Sequence, residues 1–324
     1  MLNKNLFTKD VEMEATRVGF GKALLELGDE DRNVAAVCAD LTESVQMHWF
    51  KEKFAARFVE VGITEQNMAA LASGMSAMGM IPYISSYAMF SPGRNWEQIR
   101  TTIAYNDRKV VIAGAHAGLS VGPDGGTHQA LEDIALMRVM PNMTVLSPAD
   151  SREAYLMTKL AKDIKGPVYI RLAREKSAKI FTDEYSKINL DKPEVVFSSS
   201  ESKARKVCIL ATGPILYNAM LAAKDLNDKG VQVVVVNISC IKPLPESAIL
   251  RLSSAYKVLV TLEEHQVIGG MGSAVSELIS EHASAKVVRM GVRNRFGQSG
   301  KVDELYREYG LTVDDIINTC LENI

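Results

Sequence analysis

The chain has little of what usually narrows a function class. Its 324 residues include only four cysteines, Cys38, Cys208, Cys240 and Cys320, and they are far apart with no CxxC pair. That excludes a disulfide-framed scaffold and a zinc knuckle, and fits free thiols in a reducing, cytoplasmic compartment. Neither charge sign is in excess: 37 Lys and Arg face 39 Asp and Glu, giving a net charge of -2 and a pI near 6.3. A general nucleic-acid partner is therefore not expected. No apolar run approaches a membrane span, so no membrane partner is expected either. The opening MLNKNLFTKDVEME is charged where a signal peptide has its apolar core. What remains is an ordinary globular composition, long enough for about two domains with their own cores.

Strand and helix patterns alternate along the chain. Residues 33–39 (NVAAVCA) and 109–115 are continuous apolar runs, as expected of strands buried on both faces of a parallel sheet. Further strands are expected at 81–84, 143–146 and 167–172, with helices at 11–27, 129–139 and 149–162. In the helix at 11–27, Val18, Leu24, Leu25 and Leu27 face the core. Residues 175–205 break the pattern, and their serine run reads as a linker or an exposed hairpin. A second alternating unit follows, with strands at 206–211, 231–238, 258–262 and 286–290. Its helices are expected at 215–228, 246–252 and 272–281, with a terminal one from Val313. The expectation is an α/β protein of two doubly wound, mostly parallel-sheet domains, 1–190 and 191–324.

Five stretches carry candidate chemistry. The helix after residue 64 places Glu65 in its first turn, with Thr64 as the expected N-cap, and continues through small residues from Ala69 to Ala77. An acid there can simply complement the helix dipole, or it can be a reactive carboxyl in a tightly packed helix. Asp40 to Ser44 follow a strand at its carboxyl end, where open α/β sheets bind ligands, or they merely begin the next helix. Tyr87 and Phe90 are three apart, so a helical turn would put both rings on one face, as core aromatics or as a platform for a flat heterocycle.

The fourth stretch, 116–128, holds His116, Asp124, His128 and glycines 118, 122, 125 and 126. That many glycines cost backbone entropy unless the loop geometry is needed. The segment has no GK[ST] ending and no metal-ligand spacing, so polar recognition of a substrate is expected rather than a P-loop or a zinc site. Arg171 and Arg174 close this half. The fifth stretch, Glu263-Glu264-His265 followed by Gly269-Gly270-Met271-Gly272, approximates a dinucleotide fingerprint but has Val275 where the third small residue belongs. A close backbone approach at a domain or subunit contact is the expected role.

Taken together, the segments ATR (15–17), ADLT (39–42), VGITEQNMA (61–69), IPYISSYAMF (81–90), HAGLSVGPDGGTHQALED (116–133), PNMTVLSPAD (141–150) and LEEHQVIGGMGSAV (262–275) resemble the second half of the thiamine-diphosphate-dependent transketolase family. Any one is unspecific; seven in the family's order and spacing are not. The resemblance covers nearly the whole chain, and implies a pyrimidine-binding domain followed by the family's C-terminal domain. By position, Glu65 matches the carboxyl that meets the cofactor's pyrimidine ring, and Tyr87 and Phe90 match the aromatic shelf beneath it. Asp40 matches an acid near cofactor and donor sugar. His116 matches a catalytic histidine beside the reacting carbonyl, and Asp124 an acid that contacts substrate hydroxyls. Arg17, Ser44, His128 and Arg174 match the residues that hold a sugar phosphate, for which paired arginines suit planar charge-assisted bonds.

The sequence also departs from the family. The Gly-Asp-Gly motif and later Asn that hold magnesium and diphosphate are missing, the nearest candidate being Gly28-Asp29-Glu30. Gly93 stands where a third platform aromatic is common, with Arg94 beside it. The resemblance therefore implies one chain of a split, two-chain transketolase, transferring a two-carbon ketol unit from a ketose phosphate to an aldose phosphate. A separate N-terminal subunit would hold Mg2+ or Ca2+ and the diphosphate, in a two-plus-two assembly. A 1-deoxy-D-xylulose-5-phosphate synthase-like or 2-oxo-acid dehydrogenase beta-like subunit shares the chemistry, and a non-catalytic partner module would share the fold.

Overall fold

In a computed structural model, which describes residues 1–199 and 204–324, the apolar runs become the strands of two sheets flanked by helices. The first half runs β1 (Met13–Ala15), α1 (Thr16–Glu30), β2 (Val34–Cys38), α2 (His48–Lys53), β3 (Phe58–Glu60), α3 (Glu65–Ala77), β4 (Ile81–Tyr87), α4 (Trp96–Gln98), β5 (Val111–Ala115), α5 (Asp133–Arg138), β6 (Thr144–Leu146), α6 (Ser151–Ala161), β7 (Val168–Arg171) and β8 (Lys176–Ala178). The second runs β9 (Glu194–Ser198), β10 (Lys206–Ala211), α7 (Leu216–Asp228), β11 (Gln232–Asn237), β12 (Cys240–Lys242), α8 (Glu246–Ala255), β13 (Val258–Gln266), α9 (Met271–His282), β14 (Lys286–Val292), α10 (Val302–Glu308) and α11 (Val313–Asn323).

The first sheet has the order β12-β6-β7-β5-β4-β2-β3, parallel except for β12 against β6. Every residue of β2 and β5 is buried, as their unbroken apolar runs require. The second sheet has the order β14-β13-β10-β11-β9, parallel except for β9. β12 comes from the second half yet extends the first sheet, and one apolar cluster joins Ile84, Ile112 and Tyr169 to Leu210, Val236 and Leu259. In the first sheet the strand order reverses beside β2: β3 lies on one side and β4 on the other. That crevice, at the carboxyl ends, is where such sheets bind ligands. Asp40 follows β2, Tyr87 ends β4 and His116 follows β5. Among the described residues no helix is long and apolar enough to cross a membrane.

Four local expectations are corrected. The first helix begins at Thr16, because Met13–Ala15 pairs antiparallel with β8, and this ribbon brings Arg17 beside Arg174. Within α1, Leu24 and Leu27 are buried, whereas Val18 and Leu25 are only half-buried. The helix expected at 129–139 forms only over Asp133–Arg138. Upstream of it, Gln129 turns its amide to the carbonyls of Leu119 and Gly122, and Glu132 accepts from the Leu131 N–H, so these side chains serve the loop instead. Nor is 175–205 merely a linker: Ile180, Phe181 and Tyr185 are buried, the last two stacked at 4.3 Å, and β9 edges the second sheet. Residues 200–203 of its serine run lie outside the described residues.

Two carboxyls are buried where the halves meet. Asp150 caps α6 by accepting from the Glu153 N–H at 2.8 Å, and also accepts from the Phe181 N–H at 2.7 Å. Glu153 accepts from the Ala149 N–H at 2.7 Å and from the Asn237 amide on β11 at 2.9 Å. Burial pushes Asp150 up to about 6 and Glu153 up to about 7.

Because its folded pKa is raised, Glu153 keeps a proton in the folded chain that the unfolded chain has already released. Its contribution is complete below the unfolded value of 4.5 and is lost as pH rises through about 7. The lost contribution is about 3 kcal/mol. Glu153→Gln is expected to flatten the fall in urea midpoint between about pH 5 and about pH 8. A variant as pH-sensitive as the parent would place the titration elsewhere.

Candidate active site

The site starts from Glu60, at the end of β3. Its carboxylate gathers the Asp40 N–H at 2.7 Å, the Thr42 hydroxyl at 2.9 Å and the Gly62 N–H at 3.0 Å. This ties the turn after β2 to the turn that leads into α3. Thr64 precedes the helix but does not cap it: its hydroxyl donates to the Val61 carbonyl at 2.7 Å, tightening the turn instead. Glu65 then points inward and is 1 % exposed. It accepts from the Arg94 guanidinium at 2.6 Å and, more weakly, from the Ser86 hydroxyl at 3.4 Å. Asn95 donates to its backbone carbonyl at 3.0 Å. A first-turn acid that only complemented the helix dipole would remain solvated, and this one is sequestered.

Tyr87 and Phe90 form a shelf beside this carboxyl. A hydrogen-bonded turn, in which Phe90 and Ser91 both donate to the Tyr87 carbonyl at 2.8 Å, brings their rings to 6.2 Å and 14°. The His116 ring stacks on Tyr87 at 3.9 Å, and His128 meets Phe90 edge-on at 5.5 Å. The Arg94 guanidinium lies 4.9 Å over Phe90 while bonded to Glu65, so it bridges acid and shelf. A third aromatic cannot follow at position 93, since any Cβ there would sit 1.9 Å from the Met89 carbonyl oxygen.

The polar side of the crevice is built around His116, whose φ of 54° is left-handed. Its Nδ1 is buried without a hydrogen-bond partner. Burial, helped by Arg17, Arg174 and His128, pushes its pKa down to about 3, so the imidazole is neutral near pH 7. Arg17 donates to the Ser44 carbonyl at 2.7 Å and to the Arg174 carbonyl at 3.2 Å. Arg174 donates to the Val121 carbonyl at 2.7 Å and lies 3.8 Å from Asp124. Thr127 and the His128 ring are 2.9 Å apart. The fold thus collects Arg17, Ser44, His116, Asp124, His128 and Arg174 on one side, with Glu65, Tyr87 and Phe90 on the other. Asp40 is exposed, held at the rim by Glu60, with φ 58°.

Sequence reasoning missed the residues that hold these groups: Glu60, Ser86, Asn95, Gln129 and Glu264. Only the last had a usable signal, the run Glu263-Glu264-His265. All three are buried. Glu263 accepts from the Met271 and Gly272 N–H groups, both at 2.8 Å. Gly270 is required because a Cβ there would lie 2.2 Å from the Glu263 carboxylate. The start of α9 is therefore occupied by an internal carboxyl group, which explains Gly270 as a close approach within the second half and leaves no place for a nucleotide phosphate.

Comparison with known proteins covers nearly the whole chain. Residues 12–179 match the description "Transketolase, pyrimidine binding domain", and 199–316 match "Transketolase, C-terminal domain". The chain is 36% identical to a 6-deoxy-6-sulfo-D-fructose transketolase subunit of Clostridium sp. (strain MSTE9), over 92% of this chain and 91% of that one. It is 32% identical to an apulose-4-phosphate transketolase subunit of Phocaeicola vulgatus, over 96% and 97%. A solved structure described as "Split gene transketolase, inactive beta4 tetramer" superposes with a TM-score of 0.86 and 38% identity, covering 95% of this chain and 98% of that one.

In the ligand-free chain, imidazole nitrogen spectra are expected to show His116 neutral from about pH 5 to about pH 8. A midpoint near the ordinary 6.5 would mean that the loop does not close over it.

Proposed function

The chain belongs to the transketolase family as a transketolase-like C-terminal subunit, and on that premise we propose that it is half of a two-chain enzyme transferring a two-carbon ketol unit between sugar phosphates. The observation that carries the proposal is a sequestered carboxyl, Glu65, directly beside a flat aromatic shelf. An aminopyrimidine needs both a proton-sharing acid at a ring nitrogen and a face to stack on, and these residues fit that group. When bound, thiamine diphosphate would supply a carbon nucleophile for the ketose carbonyl and an electron sink for cleavage of C2–C3.

The chain's own residues divide the remaining work. Glu65 holds or releases the proton at the pyrimidine nitrogen, shielded from water by its helix. Tyr87 and Phe90 set the plane of the ring, and Asp40 lies at the rim where cofactor and donor sugar meet. His116, kept neutral, offers an unpaired nitrogen to the reacting carbonyl or hydroxyl as a hydrogen-bond partner and proton carrier. Asp124 accepts from substrate hydroxyls. Arg17, Arg174, His128 and Ser44 receive the phosphate, where guanidinium groups give charge-assisted bonds.

A separate N-terminal subunit completes the site in this reading, holding Mg2+ or Ca2+ and the diphosphate in a cytoplasmic two-plus-two assembly. The split-gene neighbour, described as inactive as a beta4 tetramer, supports the need for a second chain. The domain division at 190/191 is part of the same proposal. The sugar pair stays general, since similar subunits serve a sulfosugar in one relative and apulose-4-phosphate in another.

The test pairs the purified chain with a candidate subunit carrying Gly-Asp-Gly and a later Asn. Thiamine diphosphate, Mg2+ and a ketose phosphate are supplied, with pyruvate as a rival donor. Ketol transfer is expected only from the pair, and Glu65→Ala is expected to lower kcat by at least about 100-fold. Full turnover by the chain alone would refute the split site. Pyruvate decarboxylation would reassign the donor, and an unaffected Glu65→Ala would reduce the chain to a scaffold.

A further inference from the structure

The candidate site residues all come from the first half of the chain, yet the second half shapes the loop that lines the crevice. Glu264 on β13 is 2 % exposed, and one carboxylate oxygen accepts from the Ser120 N–H at 2.8 Å, inside the 116–128 loop. The other accepts from the Tyr306 hydroxyl on α10 at 2.7 Å. The Glu264 backbone carbonyl accepts from Arg171 at 2.8 Å. Gly118, with φ 88°, lies against the same side chain: a Cβ there would come within 2.8 Å of the carboxylate. The far end of the loop meets the second half as well. Gln129 donates to the Gln298 carbonyl at 3.0 Å, and Cβ atoms at Gly125 or Gly126 would each lie 2.5 Å from Ser299 or Gly297. Two of the loop's glycines are thus fixed by atoms of residues 297–299, and a third by Glu264.

From this clamp we propose that Glu264 is a positioning residue for substrate recognition. It acts through the Ser120 N–H to hold His116, Asp124 and His128 in register against the shelf. The substrate it serves is the sugar phosphate of the proposed function, so the kinetic half of the claim rests on that reading. The geometric half does not. The fixed point is an acceptor oxygen facing a buried N–H, whose loss leaves a donor unsatisfied and frees the loop. Glutamine preserves an oxygen in that place, and leucine does not. On the pyrimidine side of the crevice, Glu65 is held by its own bonds to Arg94 and Ser86.

The first experiment uses the full chain alone and measures hydrogen–deuterium exchange. Glu264→Leu is expected to speed exchange of peptides covering 116–128 by at least about 10-fold, leaving α3 and the first sheet's strands at parental rates. Glu264→Gln is expected to retain most of the protection. Gly118→Ala pushes the loop off the clamp from the other side and is expected to act like Glu264→Leu, which keeps the test decisive if the leucine variant does not fold.

The second experiment uses the chain assembled with its partner. Glu264→Leu or Gly118→Ala is expected to raise KM for the ketose phosphate at least about 10-fold and to lower kcat, with thiamine diphosphate affinity unchanged and Glu264→Gln near the parent. Parental loop protection in both folded variants would overturn the proposal, as would a lowered melting temperature with an unchanged KM. If the assembled parent transfers no ketol unit, the proposed function fails while the exchange result still judges the clamp.

Discussion

A buried ion pair sets the frame for everything at the crevice. Arg171, at the end of β7, meets Asp133, at the start of α5, at 2.8 and 3.2 Å. Both are almost wholly buried, and the Tyr169 hydroxyl and the carbonyls of Ala130 and Glu264 complete their hydrogen bonding. Burial disfavours the guanidinium's charge, but Asp133 outweighs it and drives the Arg171 pKa up. Leaving either partner alone inside would cost about 3–5 kcal/mol. The pair therefore fixes the first sheet, the helix behind the loop and the second half of the chain relative to one another.

Around that frame the backbone is bent where side chains must turn toward the crevice. Asp40 and His116 follow β2 and β5, and both adopt left-handed φ values, 58° and 54°. Such residues cost roughly 1–3 kcal/mol unless their surroundings hold them. Here the Glu60 carboxylate holds the Asp40 N–H, and the Tyr87 ring holds the His116 imidazole. Strain and restraint thus coincide at the carboxyl ends of neighbouring strands.

The two sides of the crevice differ in electrostatics. On one, a carboxyl is sequestered with a guanidinium that also lies on the Phe90 ring, so acid, cation and aromatic face form one unit. On the other, Arg17 and Arg174 surround an imidazole that burial and their own charge keep neutral. The contrast places an uncharged hydrogen-bonding nitrogen beside two guanidinium groups, and the low dielectric of the walls strengthens both features.

The sequence by itself determined the alternation of strand and helix, since unbroken apolar runs such as 33–39 read as buried strands, and it located the strand ends that Asp40 and His116 follow, although β4 runs past the expected 84 to Tyr87. It also singled out Glu65 and the glycine loop, because motif order and residue chemistry are local properties. It could not show that Thr64 would spend its hydroxyl on Val61 instead of capping the helix, that Met13–Ala15 would leave the helical pattern to pair with β8, or that β12 would cross to the other sheet. Those outcomes depend on partners far away along the chain or on competition for one hydrogen bond. Only the tertiary structure decided that Arg94 would reach Glu65 and that Glu264 would reach Ser120, because a side chain's partner is set by packing in space and leaves no periodic trace along the chain.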